Sequence, residues 1–365
     1  MPERSWKVAE ILATTTSFLA KKDPSCPRLE AELLLSKVLK LDRVELYLNF
    51  ERVLTLPEVD AYRELVKRRG NHEPVAYILG HKKFYTLDLK VNPSTLIPRP
   101  ETEHLVDEAL RLLCKGTKDE KVPIEGTDTA QTIDLEDEIE TMDEIDDDFE
   151  GEADTAAYMR QAQDDAPIAA LPPLEVSREQ PDEEPEEASI EPPLVADIGT
   201  GSGAIALALL SAHHRVRVVA TDISPEALNV ARENAVTHKL NDRVTFLTGN
   251  LAEPLAGQRF DIVCANLPYV PGADMATLAP DVANFEPLSA LEGGPEGLSL
   301  IEKLLFTVKP ILKDNGYLLL EIWPASAPKL RQLSLEAGLV PLDPILDYSK
   351  KARIFVAHNQ APASN

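Results

Sequence analysis

The chain has 365 residues, 44% of them hydrophobic, which supplies real cores and excludes a wholly disordered protein. Its net charge of −25 is local: residues 117–191 carry 27 Asp and Glu against 4 Lys and Arg, while the rest balances 33 basic against 35 acidic side chains. No concentrated basic stripe of a nucleic-acid reader remains, and Cys26, Cys114 and Cys264 lie too far apart for a disulfide framework or a metal site.

In chain order, residues 1–80 predict a small helical bundle. Trp6, Ile11, Leu12, Phe18 and Leu19 fall at helical intervals, as do Leu29, Leu33, Leu34, Val38 and Leu39 after Pro27. Leu56, Val59, Tyr62, Leu65 and Val66 form a third apolar stripe, and such stripes must bury against one another. Residues 81–114 predict a β-hairpin linker and a further helix. There Tyr85, Leu87, Leu89 and Val91 alternate with polar residues, and Leu105, Val106, Ala109, Leu110 and Leu113 then restore the helical period. Residues 115–192, rich in acid and poor in aromatics, read as a disordered insertion, either a solvated connection or a docking tail for a basic partner. From 193 to 358, strands at Leu194–Ile198, Val216–Thr221, Val244–Thr248, Phe260–Ala265 and Tyr317–Ile322 alternate with helices that begin near Ala204, Pro225, Gly297 and Ala325. Val340–Leu346 and Arg353–Ala357 close the sheet as a hairpin-like pair. The fold class is α/β: a doubly wound, Rossmann-like domain preceded by a helical bundle.

The chemistry gathers at the strand tips. After the first strand come Gly199, Thr200, Gly201, Ser202 and Gly203, whose Gly-x-Gly-x-Gly spacing differs from the dinucleotide fingerprint and favours S-adenosyl-L-methionine over NAD. An unliganded tight turn is the bland alternative. Asp222, about 20 residues on, is placed to accept both hydroxyls of a ribose, although a lone Asp there more often caps a helix. Gly249, Asn250 and Leu251 follow the third strand at the adenine position. The fourth strand ends in Asn266, Leu267, Pro268 and Tyr269. An amide nitrogen is weakly nucleophilic, so methylating it calls chiefly for positioning. Asn266 can donate to a substrate carbonyl and accept from its N–H. The Leu267 carbonyl, ahead of a proline, can turn outward as a second acceptor, and Tyr269 offers an aromatic wall.

Together with Pro74–Gly80, Leu96–Glu103 and Glu286–Leu298, these motifs resemble the release-factor glutamine N5-methyltransferases, the HemK/PrmC family, over residues 1–114 and 193–357. The resemblance implies a seven-stranded methyltransferase domain and methylation of the glutamine in the Gly-Gly-Gln loop of class I peptide chain release factors. It further implies cofactor contacts from Gly199–Gly203, Asp222, Leu251 and Asn266, with Asn266–Tyr269 holding the glutamine. The chain departs from the family's Asn-Pro-Pro-Tyr at Leu267, and Asn-Leu-Pro-Tyr also looks like the motif of adenine-N6 methyltransferases. Glutamine methylation of a ribosomal protein is a further alternative. Arg99 and Glu101 are open between the cofactor's methionine end and the start of a helix. No apolar run approaches the roughly 20 residues of a membrane span, and the first residues lack a signal-peptide pattern. The expectation is a cytoplasmic monomer without metal, membrane or direct nucleic-acid contact.

Overall fold

The computed structural model describes residues 5–22, 26–114 and 191–361; the expected disordered insertion lies outside the described residues except at its last two positions. The N-terminal stripes fold as α1 (Val8–Ala20), α2 (Pro27–Leu39), α3 (Arg43–Leu48), α4 (Leu56–Gly70) and α5 (Val75–Leu79). Periodicity foresaw α1, α2 and α4, but α3 and α5 are too short to show a period. Local chemistry starts α3 instead: Asp42 accepts from the Glu45 N–H at 2.7 Å while Glu45 accepts from the Asp42 N–H. Leu12, Leu19, Leu34, Leu35, Leu46 and Tyr62 fill the bundle core. Leu56, Phe18 and Leu29, expected in that core, are exposed.

The hairpin follows as β1 (His81–Phe84) and β2 (Leu87–Lys90), with Leu87, Leu89 and Val91 buried as the alternation requires. Tyr85 leaves the pattern because it sits in the two-residue turn at φ +54°, which breaks the pleat. Next come α6 (Glu103–Leu113), β3 (Leu194–Ile198), α7 (Ala204–Ala212), β4 (Arg217–Asp222), α8 (Pro225–Thr237) and β5 (Val244–Thr248). The Ser224 hydroxyl caps α8 by accepting from the Ala227 N–H at 3.1 Å, with Pro225 at the first helical position. β6 (Phe260–Ala265), α9 (Pro280–Phe285), α10 (Ser299–Val308), β7 (Leu312–Glu321) and α11 (Ala327–Glu336) follow, then β8 (Val340–Pro341), β9 (Ile345–Leu346) and β10 (Ala352–His358).

The strand order is β5-β4-β3-β6-β7-β10-β8, parallel from β5 to β7, with β10 antiparallel to β7 and β9 also paired to β10. Seven strands lie along this path and β9 makes an eighth, because the edge segment breaks between Pro341 and Ile345, where Pro344 has no N–H to give. β7 begins five residues before the expected Tyr317, and α10 waits until Ser299, behind Gly297 at φ +74°. Strand alternation divides the core. Val195, Ile262 and Leu319 pack with α6 and α7, while Ala196, Val263 and Leu320 pack with α10 on the other face. Since the chain runs outward from β3 to β5 and then crosses to β6, the strand order reverses beside β3. A crevice opens there at the carboxyl ends of the strands.

One tie holds the bundle to the linker, and another holds the hairpin to α8 and the glycine turn. Tyr77 donates to the Thr95 carbonyl at 2.6 Å and packs with Val91 and Ile97. Asn234 of α8 accepts from the Lys90 N–H at 2.7 Å and donates to the carbonyls of Lys90 and Ser202 at 3.0 and 2.9 Å. No helix among the described residues is long and apolar enough to cross a membrane.

Candidate active site

The crevice is a cavity of about 330 Å³. Its floor is the turn after β3, where Gly199 and Gly201 adopt φ +75° and +56° and the N–H groups of Gly199 and Thr200 both donate to the Thr221 carbonyl. A Cβ at Gly201 would meet nothing within 4 Å, so this residue leaves bare backbone facing the opening. Asp222, at the tip of β4, accepts from the Gly201 N–H through Oδ2 and from the Ser224 N–H through Oδ1, both at 2.9 Å. Burial raises its pKa, and those two bonds pull the other way. Each carboxylate oxygen retains capacity for one further donor. Leu251, at φ +49°, and Ile223 add apolar walls, and Ser94, Thr95, Leu96 and Pro98 close the side toward the hairpin. Of the residues picked from sequence, Gly199–Ser202, Asp222, Leu251, Asn266, Leu267 and Pro268 line this cavity. Gly203 and Tyr269 do not: Gly203 starts α7 and packs on Leu207 and Ala231, and Tyr269 turns into the protein.

Beneath the floor lies Asp197, wholly buried. Its Oδ2 accepts from the Thr200 hydroxyl at 2.6 Å and the Ala206 N–H at 3.1 Å, while Oδ1 has no partner among the described residues. Burial lifts its pKa to about 6, against the pull of those two donors. The folded state therefore binds a proton that the unfolded chain has released, so this group's contribution falls as pH rises from about 4 to about 6 and stays low above that. Across that window the loss is about 3 kcal/mol. Urea unfolding at pH 4.5 and 7.5 is expected to show Asp197→Asn gaining on the wild type at the higher pH by ~2 kcal/mol. An equal difference at both pH values would refute the assignment.

The far wall is the tip of β6, backed by a buried carboxylate that sequence reading passed over. Glu321 ends β7 and is 1% exposed. Its Oε2 accepts from Asn266 Nδ2 at 2.9 Å and the Thr102 hydroxyl at 2.5 Å, and its Oε1 accepts from the Tyr269 hydroxyl at 2.9 Å. Asn266 Nδ2 reaches Thr102 Oγ1 as well, at 3.2 Å. Burial raises the Glu321 pKa, and the donors from Thr102 and Tyr269 oppose it. The available signal was one acid in the otherwise apolar run Leu318–Ile322.

A second support also went unread. The chain from Leu291 to Gly294 runs beside the active-site tip. Val270 N–H donates to the Leu291 carbonyl, Gly293 N–H to the Val270 carbonyl and Gly272 N–H to the Gly294 carbonyl, each at 2.9 Å. A Cβ on Gly293 would stand 2.6 Å from the Pro268 carbonyl oxygen, and one on Gly297 only 2.3 Å from that of Tyr269. Arg99 lines the cavity and pairs with Glu286, whose side chain is buried and also accepts from the Ile97 N–H at 3.1 Å. Arg99 thus ties the linker to the Glu286–Leu298 stretch, and its carbonyl also accepts from the Thr102 N–H at the N-cap of the Pro100–Thr102 turn that leads into α6. Glu101 stands in the 3₁₀ turn Pro100–Thr102, close enough to raise the Glu321 pKa.

Residues 10–80 match the PrmC N-terminal domain and residues 195–285 a methyltransferase domain. The chain is 34% identical over 334 residues to a release factor glutamine methyltransferase of Rhodopirellula baltica, an alignment that spans 91% of this chain and 89% of that protein. The chain belongs to the release factor glutamine methyltransferase family. A family member from Geobacter sulfurreducens is 35% identical over 87% of this chain and 84% of its own length. Another, from Chlorobaculum tepidum, is 32% identical over 97% and 98%. The chain is accordingly an S-adenosylmethionine-dependent methyltransferase. The cavity fits that cofactor. Asp222 keeps acceptor capacity for ribose hydroxyls, Gly201 lets a ligand approach bare backbone, and Leu251 and Ile223 offer apolar surface to a base.

Proposed function

We propose that this methyltransferase modifies the side-chain amide nitrogen, N5, of the glutamine in the Gly-Gly-Gln motif of class I peptide chain release factors. The observation carrying this reading is the state of Asn266. Its Nδ2 donates into the protein, to Glu321 Oε2 and Thr102 Oγ1, which leaves Oδ1 as the acceptor of this carboxamide on the cavity wall. An acceptor suits a substrate N–H, as on a primary amide. The names of the relatives from Rhodopirellula baltica and Geobacter sulfurreducens support release factors as the substrate class.

Bound S-adenosylmethionine supplies an electrophilic methyl on a sulfonium. Gly199–Ser202, Asp222 and Leu251 hold the cofactor in this reading. In this reading Asn266 Oδ1 takes one amide N–H, and the Leu267 carbonyl, free of hydrogen bonds among the described residues, takes the other. Two acceptors fix the plane of the amide, so the nitrogen lone pair faces the methyl, and catalysis comes mainly from this orientation. Leu267 packs against Gly199, where a Cβ would stand 3.1 Å from Leu267 Cδ2, which joins the two halves of the site. Docking of the substrate protein falls to the N-terminal bundle, residues 1–80, whose Val44, Leu48 and Val53 are exposed.

Intact-mass and peptide mapping tests the reading on a class I release factor incubated with enzyme and S-adenosylmethionine. One methyl on the glutamine, and none when that residue is alanine, is the expected result. No transfer to either, by enzyme that binds cofactor, would turn the search to ribosomal protein and then to adenine in RNA.

A further inference from the structure

We propose that Glu321 is a positioning residue for methyl transfer: with Thr102 it locks the Asn266 carboxamide so that Oδ1, and not Nδ2, faces the substrate. The inference rests on the reading above that Asn266 grips the substrate amide. It follows from counting hydrogens. Thr102 has one hydroxyl hydrogen and gives it to Glu321 Oε2. Its oxygen can then only accept, and it meets Asn266 Nδ2 at 3.2 Å. Nδ2 donates to Glu321 Oε2 as well, at 2.9 Å. Tyr269 fills Oε1, so the carboxylate has no reason to reorganise. Turning the carboxamide over would set Oδ1 against a carboxylate oxygen at 1% exposure, an arrangement with no bridging hydrogen. A free asparagine presents either end. Here the buried acid removes that choice, and with it the ambiguity between a donor and an acceptor substrate.

The lock predicts a reversal that a merely structural carboxylate would not produce. In Glu321→Leu, the Thr102 hydroxyl is released to donate to Oδ1, and Asn266 can offer its NH₂ to the cavity. The full-length enzyme is titrated with a class I release factor and with the same factor carrying glutamate in place of the motif glutamine. Wild type is expected to favour the glutamine form. Glu321→Leu is expected to lose about 100-fold in kcat with the cofactor Kd unchanged, and to shift preference toward the glutamate form by about tenfold. Glu321→Gln is expected to rescue most of the lost rate, because its oxygen can accept from Asn266 and Thr102 while its NH₂ serves Tyr269. Glu321→Met, closer in volume to glutamate and equally without an acceptor for Asn266, shifts preference in the same direction and stands in if the leucine variant does not fold.

A readout without substrate separates this inference from the functional reading. The Asn266 Nδ2 resonances, identified by their loss in Asn266→Asp, are expected to exchange with solvent at least tenfold faster in Glu321→Leu than in wild type. Equal exchange, or parallel loss of affinity for both factor forms, would overturn the lock. Wild type that leaves the release factor unmethylated but keeps slow Asn266 exchange would overturn only the substrate assignment.

Discussion

Gly297→Ala is expected to lower methyl transfer about 100-fold or more, although Gly297 carries no side chain and lines no part of the cavity. The added Cβ would be built 2.3 Å from the Tyr269 carbonyl oxygen and 3.2 Å from the Pro271 nitrogen, on a backbone at φ +74°. The left-handed conformation alone costs an alanine roughly 1–2 kcal/mol. The close contact adds to this, and no flexible side chain can yield, because both opposing atoms are backbone. Relief requires the Asn266–Tyr269 tip to move, and displacement near 1 Å at a positioning site costs on the order of 100-fold. Steady-state kcat and the melting temperature measured together check the result. A variant with wild-type kcat would show that the glycine stretch does not support the tip.

Asn266→Ala is expected to reduce kcat by about 10²–10³-fold, the usual cost of removing one aligned polar group from a site of this kind. Cofactor affinity is expected to stay within about threefold, because the glycine turn and Asp222 supply most of that binding surface in the proposed reading. Equilibrium titration with S-adenosylmethionine beside single-turnover methyl transfer separates the two. A large loss of cofactor affinity with kcat preserved would move Asn266 from the substrate side of the cavity to the cofactor side.

The α/β architecture was legible because period changes carry it. The apolar strands at Leu194–Ile198 and Phe260–Ala265 lie where the sequence places them. Most of the cavity was also legible, since Gly199–Ser202, Asp222 and Asn266 follow strands at intervals that only a switch point brings together. What escaped reading depends on tertiary contact. Glu321 looks like an interruption of an apolar strand until β6 and β7 are paired and Asn266 stands beside it. Gly293 and Gly297, read from sequence only as part of the Glu286–Leu298 motif and, for Gly297, as a helix start, show their packing role once the Pro268 and Tyr269 carbonyls are seen pressed against them. Tyr269, read as a wall of the substrate pocket, is drawn inward because its hydroxyl finds a buried carboxylate. Leu56 shows the reverse error: it holds the right helical interval but stands at the first residue of α4, beyond the reach of the core.

Asn234 sets a limit on how this enzyme can be cut. One carboxamide holds both the end of β2, through Lys90, and the glycine turn, through the Ser202 carbonyl. The hairpin is therefore bound to the helix and the turn that carry the cofactor half. A catalytic fragment engineered to begin after the hairpin would leave Asn234 reaching for a missing strand. A fragment begun at His81 is expected to keep that tie.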